Sequence, residues 1–223
     1  MKLLDKTLVI AWKDILSEFR TREIISSVLV FAGLVLVIFN FAFSGSRQEM
    51  LALAPGILWV TFAFAGVLSL NRSFIQEREE NCLEGLMVCP ISREAIYLGK
   101  MLSSLFFMVI IEAAVLLVFG LLFNVNVITL PMVMLTLLAT IGFAAIGTLF
   151  SALAVNTRAR EMVLPILFFP IVSPVIIAAV NASELMLNGA VWSEMASWIG
   201  IIAAFDVIFL TASYLIFGFI VEE

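Results

Sequence analysis

IISSVLVFAGLVLVIFNFAF, residues 24–43, runs for 20 positions without a charged side chain. An α-helix rises about 1.5 Å per residue, so this run spans about 30 Å, the thickness of a bilayer's hydrocarbon core. In hydrocarbon no water can meet a bare N–H or C=O, so such a segment closes its backbone hydrogen bonds within itself, as a helix. Five further apolar runs follow, at 51–70, 101–123, 130–155, 162–180 and 199–221, of which 101–123 and 199–221 each hold one carboxylate. The pattern predicts an all-α integral membrane protein of six transmembrane helices, with both termini on one side of the bilayer.

Composition agrees. Of 223 residues, 63% are hydrophobic and only 13% charged, whereas a soluble domain is roughly half apolar and a quarter charged. Six spans of about 20 residues leave about 100 for loops and ends, too few for an added catalytic domain. The chain is therefore expected to be a single transmembrane domain over 1–223. The net charge of −5 argues against nucleic acid as a partner. With no histidine in the sequence, imidazole metal sites, histidine heme ligation and serine or cysteine triads drop out.

Residues 1–23 are different in kind. Leu4, Leu8, Trp12, Ile15 and Phe19 recur at three- and four-residue steps, while Lys2, Lys6, Lys13 and Arg20 lie on or beside another face. This pattern predicts an amphipathic helix lying at the interface with Trp12 at headgroup depth. It does not predict a cleaved signal peptide, because no short apolar region with a small-residue cleavage site precedes Ile24. Eleven of the twelve basic residues fall in 1–23, 71–100 and 156–161, and the alternate segments 44–50, 124–129 and 181–198 hold only Arg47. By the positive-inside rule the N-terminus, the 71–100 loop and the C-terminus are cytoplasmic.

That 71–100 loop is the one sizeable polar segment between spans. Glu77, Arg78, Glu79, Glu80 and Glu84 are followed by Leu83, Leu86, Met87 and Val88, with Pro90 as a stop and Ser92 as an N-cap candidate. A short amphipathic helix docking into a partner's groove fits this pattern, and so does a solvated connection. Cys82 and Cys89 are read as packing residues, since a reducing compartment disfavours a disulfide and two thiols alone make no zinc site.

The block APGILWVTFAFAGVLSLNRSFIQEREENCLEGLMVCPISREAIYLGK, residues 54–100, resembles the signature region of the cytochrome c maturation protein B (heme exporter protein B) family. The resemblance rests on Ala54, Pro55, Gly56, Ile57, Trp59 and Val60 opening the second span, then Leu83, Glu84, Leu86, Met87 and Pro90. It implies a permease-like subunit of the ABC-2 type, without catalysis of its own, in a bacterial inner membrane. Implied partners are an ABC ATPase subunit, a heme-handling membrane protein, a small single-span subunit, a periplasmic heme chaperone and a second copy of the chain. Heme is then a candidate cargo and ATP a ligand of the partner, with neither bound as a cofactor by this chain. No G-x-x-x-x-G-K-[ST] occurs in the sequence, so the chain lacks a P-loop.

On the resemblance, Glu77 to Pro90 is the segment coupled to the ATPase, with the N-terminal helix as an elbow beside it. Two mechanisms stay open, passage of heme through the permease or ATP-driven release of the heme-loaded chaperone. The absence of histidine favours release, because a heme path here offers only Met, Cys or Tyr as ligands.

Two carboxylates, Glu112 and Asp206, fall inside apolar runs, where charge is costly and usually functional. Glu112 is expected near mid-span, and Asp206 about seven residues into its span, near the outer interface and hydrated. Either is a candidate proton or cation site or a pairing point for a partner's basic residue, and the alternative reading of each is structural. Pro165, Pro170 and Pro174 are expected to break the fifth span into short pieces. Gly142, Ala144, Ala145, Gly147 and Thr148 form a small-residue face suited to close packing. Trp192 and Trp198, in the 181–198 segment, are expected to anchor at the interface. Two other readings compete, an ABC-2 permease for a lipid, polysaccharide or drug, and an ion-coupled carrier using Glu112 and Asp206.

Overall fold

The computed structural model describes residues 3–42, 47–79, 92–155 and 160–220, with side chains except at 47–48, 71–79, 155, 160–161 and 219–220. Among these, every regular element is helical: α1 (Leu3–Thr21), α2 (Glu23–Ala42), α3 (Arg47–Glu79), α4 (Arg93–Phe123), α5 (Leu130–Val155), α6 (Arg160–Leu187) and α7 (Trp192–Ile220). Helices α2 to α7 are long and apolar enough to cross a membrane. They alternate in direction, so one end of the bundle gathers α1, the end of α3 at Glu79, the start of α4 at Arg93 and the end of α7 at Ile220. Because Lys6, Lys13, Arg20, Arg22, Arg93 and Lys100 lie there, it is called the basic end.

Several helices exceed the runs that announced them. At 33 and 31 residues, α3 and α4 are each over 45 Å long at about 1.5 Å per residue, longer than the bilayer core requires. The expected loop at 71–100 is thus helical at both margins, to Glu79 and again from Arg93. Ser92 is the N-cap of α4 in extended conformation, without a side-chain cap bond. Its carbonyl accepts from the amides of Ala95 (3.0 Å) and Ile96 (3.3 Å). The expected outer loop at 181–198 shrinks to residues 188–191. There Gly189, at φ 76, closes α6 with its amide on Met186 O and that of Ala190 on Leu185 O, a left-handed stop that costs glycine nothing.

The prolines do not break α6, which is one 28-residue helix carrying all three. Pro174 has no N–H to offer the carbonyl of Pro170, and the Ser173 hydroxyl donates to that carbonyl instead at 2.9 Å. Local replacement of a lost donor is how transmembrane helices tolerate proline.

Helix α5 is enclosed by α3, α4, α6 and α7. Its small residues set the spacing: a Cβ on Gly147 would overlap the side chain of Leu70 on α3, and one on Gly142 would overlap Phe205 and the Asp206 carboxylate on α7. Ala139, Ala144, Ala145 and Thr148 are fully buried. Cross-helix hydrogen bonds fix the arrangement, with Tyr97 donating to Ala145 O at 3.1 Å, Ser151 to Leu70 O at 3.1 Å and Asn40 to Leu122 O at 3.0 Å. Outward-facing Val30, Leu34 and Phe41 on α2 and Val207, Ile208 and Leu215 on α7 remain exposed on the bundle, as lipid-facing residues must.

Candidate functional site

Three places in the bundle hold polar groups at a cost, and they differ in how those groups are satisfied. The first is the basic end. Helix α1 lies on the start of α4, where Gly99 allows contact so close that a Cβ there would lie 2.7 Å from Ile10 Cβ and 3.0 Å from the Thr7 carbonyl oxygen. One residue on, the Lys100 ammonium, 1% exposed, meets Asp14 Oδ2 at 2.9 Å; the Ser103 hydroxyl lies 3.3 Å from the same oxygen and 2.9 Å from the Lys100 carbonyl oxygen, and its one proton serves one of them at a time. Lys13 approaches the other oxygen of Asp14 at 3.2 Å.

Helix α1 ends at Thr21, and Arg22, at φ 56, turns the chain into α2. The buried Glu18 accepts the amides of Ile24 (2.8 Å) and Ile25 (3.0 Å) on one carboxylate oxygen, capping α2 from the preceding helix. The protein-facing stripe of α1 is therefore Thr7, Ile10, Ala11, Asp14 and Glu18. Leu4, Leu8, Trp12, Leu16 and Phe19 are left exposed on the other side, as an interfacial helix requires.

Sequence reasoning missed the stripe and the pair, having counted Lys100 as a loop residue. The signal was present. Once Ser92 starts a helix, Lys100 is two turns inside it, and Thr7, Ile10, Asp14 and Glu18 repeat at helical spacing on α1.

The second place is the middle of the bundle. Glu112, 3% exposed on α4, has its Oε2 2.7 Å from the Thr140 hydroxyl of α5, which is also 2.7 Å from Thr136 O. A threonine hydroxyl carries one proton, so it serves one of these acceptors at a time. Glu112 Oε1 has no hydrogen-bond partner, and neither oxygen of Asp206 has one. Asp206, expected seven residues into its span and hydrated, is instead buried and far from the start of its helix. Because α7 begins at Trp192, Asp206 is the midpoint of a 29-residue helix, buried against Gly142 of α5. Both lone acids thus border α5, within one turn of each other at Thr140 and Gly142. Among the described residues no three acidic or cysteine side chains gather as a metal cluster.

The third place is the opposite end, where the Trp59 indole, fully buried, donates to the Ser183 hydroxyl at 2.8 Å. Ser183 in turn lies 3.6 Å from Met132 Sδ, so one side chain joins α3, α6 and α5. Phe62 packs edge-on against the Trp59 ring at 5.4 Å. Ala54 is fully buried beside it, Pro55 lies within α3, and a Cβ on Gly56 would meet open space. Of the coupling residues, Glu77, Arg78 and Glu79 belong to the last turn of α3. Glu80, Leu83, Glu84, Leu86, Met87 and Pro90, with Cys82 and Cys89, lie outside the described residues.

Six apolar helices, a seventh amphipathic one clamped across their basic end, and carboxylates buried in the middle define an all-α multi-pass membrane protein. The model of the CcmB protein family matches residues 5–221, nearly the whole chain, and the chain belongs to that family. It is 26% identical over 187 residues to heme exporter protein B of Pseudomonas aeruginosa, covering 83% of this chain and 84% of that one. It is also 29% identical over 156 residues to heme exporter protein B of Bradyrhizobium diazoefficiens, covering 70% of each. The protein of that name from Rhodobacter capsulatus is 32% identical over 153 residues, 66% of each chain.

Proposed function

We propose that this chain is the permease subunit of an ABC-type complex serving c-type cytochrome assembly, in the bacterial inner membrane with both termini cytoplasmic. The observation that carries the reading is the family match over residues 5–221, which takes in the elbow helix as well as the 54–100 block. The chain is the non-catalytic member, and ATP is hydrolysed on a partner ATPase. The other partners are a heme-handling membrane protein, a small single-span subunit, a periplasmic heme chaperone and a second copy of the chain.

The geometry supports a route for coupling. Residues 77–90 run from the last turn of α3 to the N-cap of α4, and α1 is held on α4 within three turns of that cap, at Gly99, Lys100 and Ser103. A displacement of 77–90 by the ATPase would therefore reach α4 directly and α1 through the Asp14–Lys100 pair. ATP-driven release of the heme-loaded chaperone is favoured over passage of heme through the bundle. A sequence without histidine offers heme iron only Met, Cys or Tyr.

The test is co-purification in detergent of the ATPase with wild-type chain and with a Glu84→Lys, Leu86→Asp variant. Recovery of the ATPase should fall at least several-fold with the variant. Wild-type recovery would remove 77–90 as the docking segment.

A further inference from the structure

We infer that Glu112 is a proton-binding site, loaded in this conformation, and that its proton is held against Thr140 where α4 meets α5. The Thr140 hydroxyl is 2.7 Å from Glu112 Oε2 and 2.7 Å from Thr136 O. Both are hydrogen-bond distances, and the hydroxyl has one proton to give but can also accept. An ionised Glu112 would leave two acceptors competing for that proton. A carboxylic acid satisfies both contacts at once: Glu112 donates to Thr140 Oγ1, and Thr140 donates to Thr136 O. One turn earlier on the same face of α5, Thr136 donates to Met132 O at 2.8 Å, so the two threonines then point their protons the same way along the helix.

The distribution of charge supports the same assignment independently. Helices α1, α2, α3, α5 and α7 pack on α4. Of these, α2 has no charged residue after Glu23, α3 none between Glu49 and Arg72, α5 none at all, and α7 only the acid Asp206 between Glu194 and Ile220. Helix α1 meets α4 at Gly99 to Ser103, where Lys100 is taken by Asp14. Along α4 itself Lys100 is also the nearest base, about 18 Å from Glu112 at about 1.5 Å per residue. An ionised Glu112 would be a buried charge facing one neutral hydroxyl, with Oε1 bare. Such a group takes up a proton in preference to keeping its charge.

A proton suits the site better than a metal cation. Hard cations take six or more oxygens, and among the described residues no three acidic or cysteine side chains gather. Asp206 is not part of the site, because it packs on Gly142, two residues and about 200° around α5 from Thr140, and has no hydroxyl at hydrogen-bond distance. Release of the proton to water leaves its electron pair on the carboxylate, which then accepts the Thr140 hydroxyl. Thr136 O keeps only the amide that the helix supplies. Loading and release therefore exchange a side-chain bond within α5 for a charged one between α4 and α5.

The test is infrared spectroscopy of the full chain in its complex, reconstituted in lipid at neutral pH, with and without isotope at the glutamate carboxyl carbon. The protonated-carboxyl C=O band should contain a component that the isotope shifts and that Glu112→Gln removes. Thr140→Val should move that component to higher frequency, because the acid loses its acceptor, and Thr140→Ser should leave it in place. If Glu112→Gln does not assemble, the isotope shift and the Thr140→Val displacement make the assignment without it. Loss of carboxylate bands in Glu112→Gln, with the protonated band unchanged, would overturn the proposal. So would a protonated band lost only with Asp206→Asn, or one that appears only when sodium and potassium are removed, which would make a metal cation the occupant.

Discussion

Lys100 and Asp206 are both charged residues buried in this bundle, and they are treated in opposite ways. Lys100 has Asp14 at 2.9 Å, on a helix brought to it by Gly99. Asp206 has no hydrogen-bond partner on either oxygen, and Glu112 has one on a single oxygen. A charge met by its opposite at a fixed position is a structural joint. An acid buried without a partner is costly to keep charged, which makes these two the candidates for a functional role.

The largest effect should come from breaking the joint. Lys100→Met leaves Asp14 with only the half-exposed Lys13, so the loss should lie at the low end of the roughly 3–5 kcal/mol that breaking a buried pair costs. Thermal unfolding in detergent should show a large drop for Lys100→Met and recovery of most of it in the double variant Asp14→Leu, Lys100→Met. If the double variant is as unstable as the single one, the pair is not the joint. The double variant should still lose ATP-coupled function, because an uncharged contact holds α1 on α4 less firmly.

A smaller loss is expected at the opposite end. Trp59→Phe removes the bond to Ser183 and leaves a cavity where part of the buried indole packed, at a cost of about 2 kcal/mol. The same unfolding measurement checks it, and a Trp59→Phe, Ser183→Ala variant should be less unstable than the two single losses added together. Full additivity would mean that the two side chains do not interact.

The smallest change in stability should come from the lone acids. Asp206→Asn and Glu112→Gln keep size and hydrogen-bonding atoms while removing the ionisable group, and unfolding should shift by no more than about 1 kcal/mol for either. ATP-coupled activity of the complex should fall with at least one of them. A variant that is both strongly destabilised and fully active would reverse the contrast between joint and lone acid.

The distinction between these two kinds of buried charge was only half legible in the sequence. Apolar runs announced all six spans, because hydrocarbon forces helices on uncharged stretches of this length. The same criterion hid the ends of the helices, since residues 71–79 and 93–100 are polar enough to pass for a loop although the helix simply continues past the membrane. Lys100 was lost inside that margin, and with it the joint.

Asp206 was visible but misplaced, because its depth was measured from Ile199 when the helix begins seven residues earlier at Trp192. Proline misled in the other direction. Pro174 removes a donor, but the adjacent Ser173 replaces it, a compensation that depends on a rotamer and not on composition. Glu18 shows the same limit, since its value lies in capping a helix that a single left-handed residue, Arg22, folds back to meet it.

On the proposed function, this bundle converts ATP hydrolysis on a partner into movement at its basic end. The most direct measurement is the ATPase rate of the purified intact complex, with and without the heme-loaded chaperone, together with chaperone retention before and after ATP. Stimulation by the loaded chaperone and its release on ATP addition are expected, with both weakened by Asp14→Leu, Lys100→Met. An ATPase rate indifferent to the chaperone, with the chaperone retained after ATP, would contradict it.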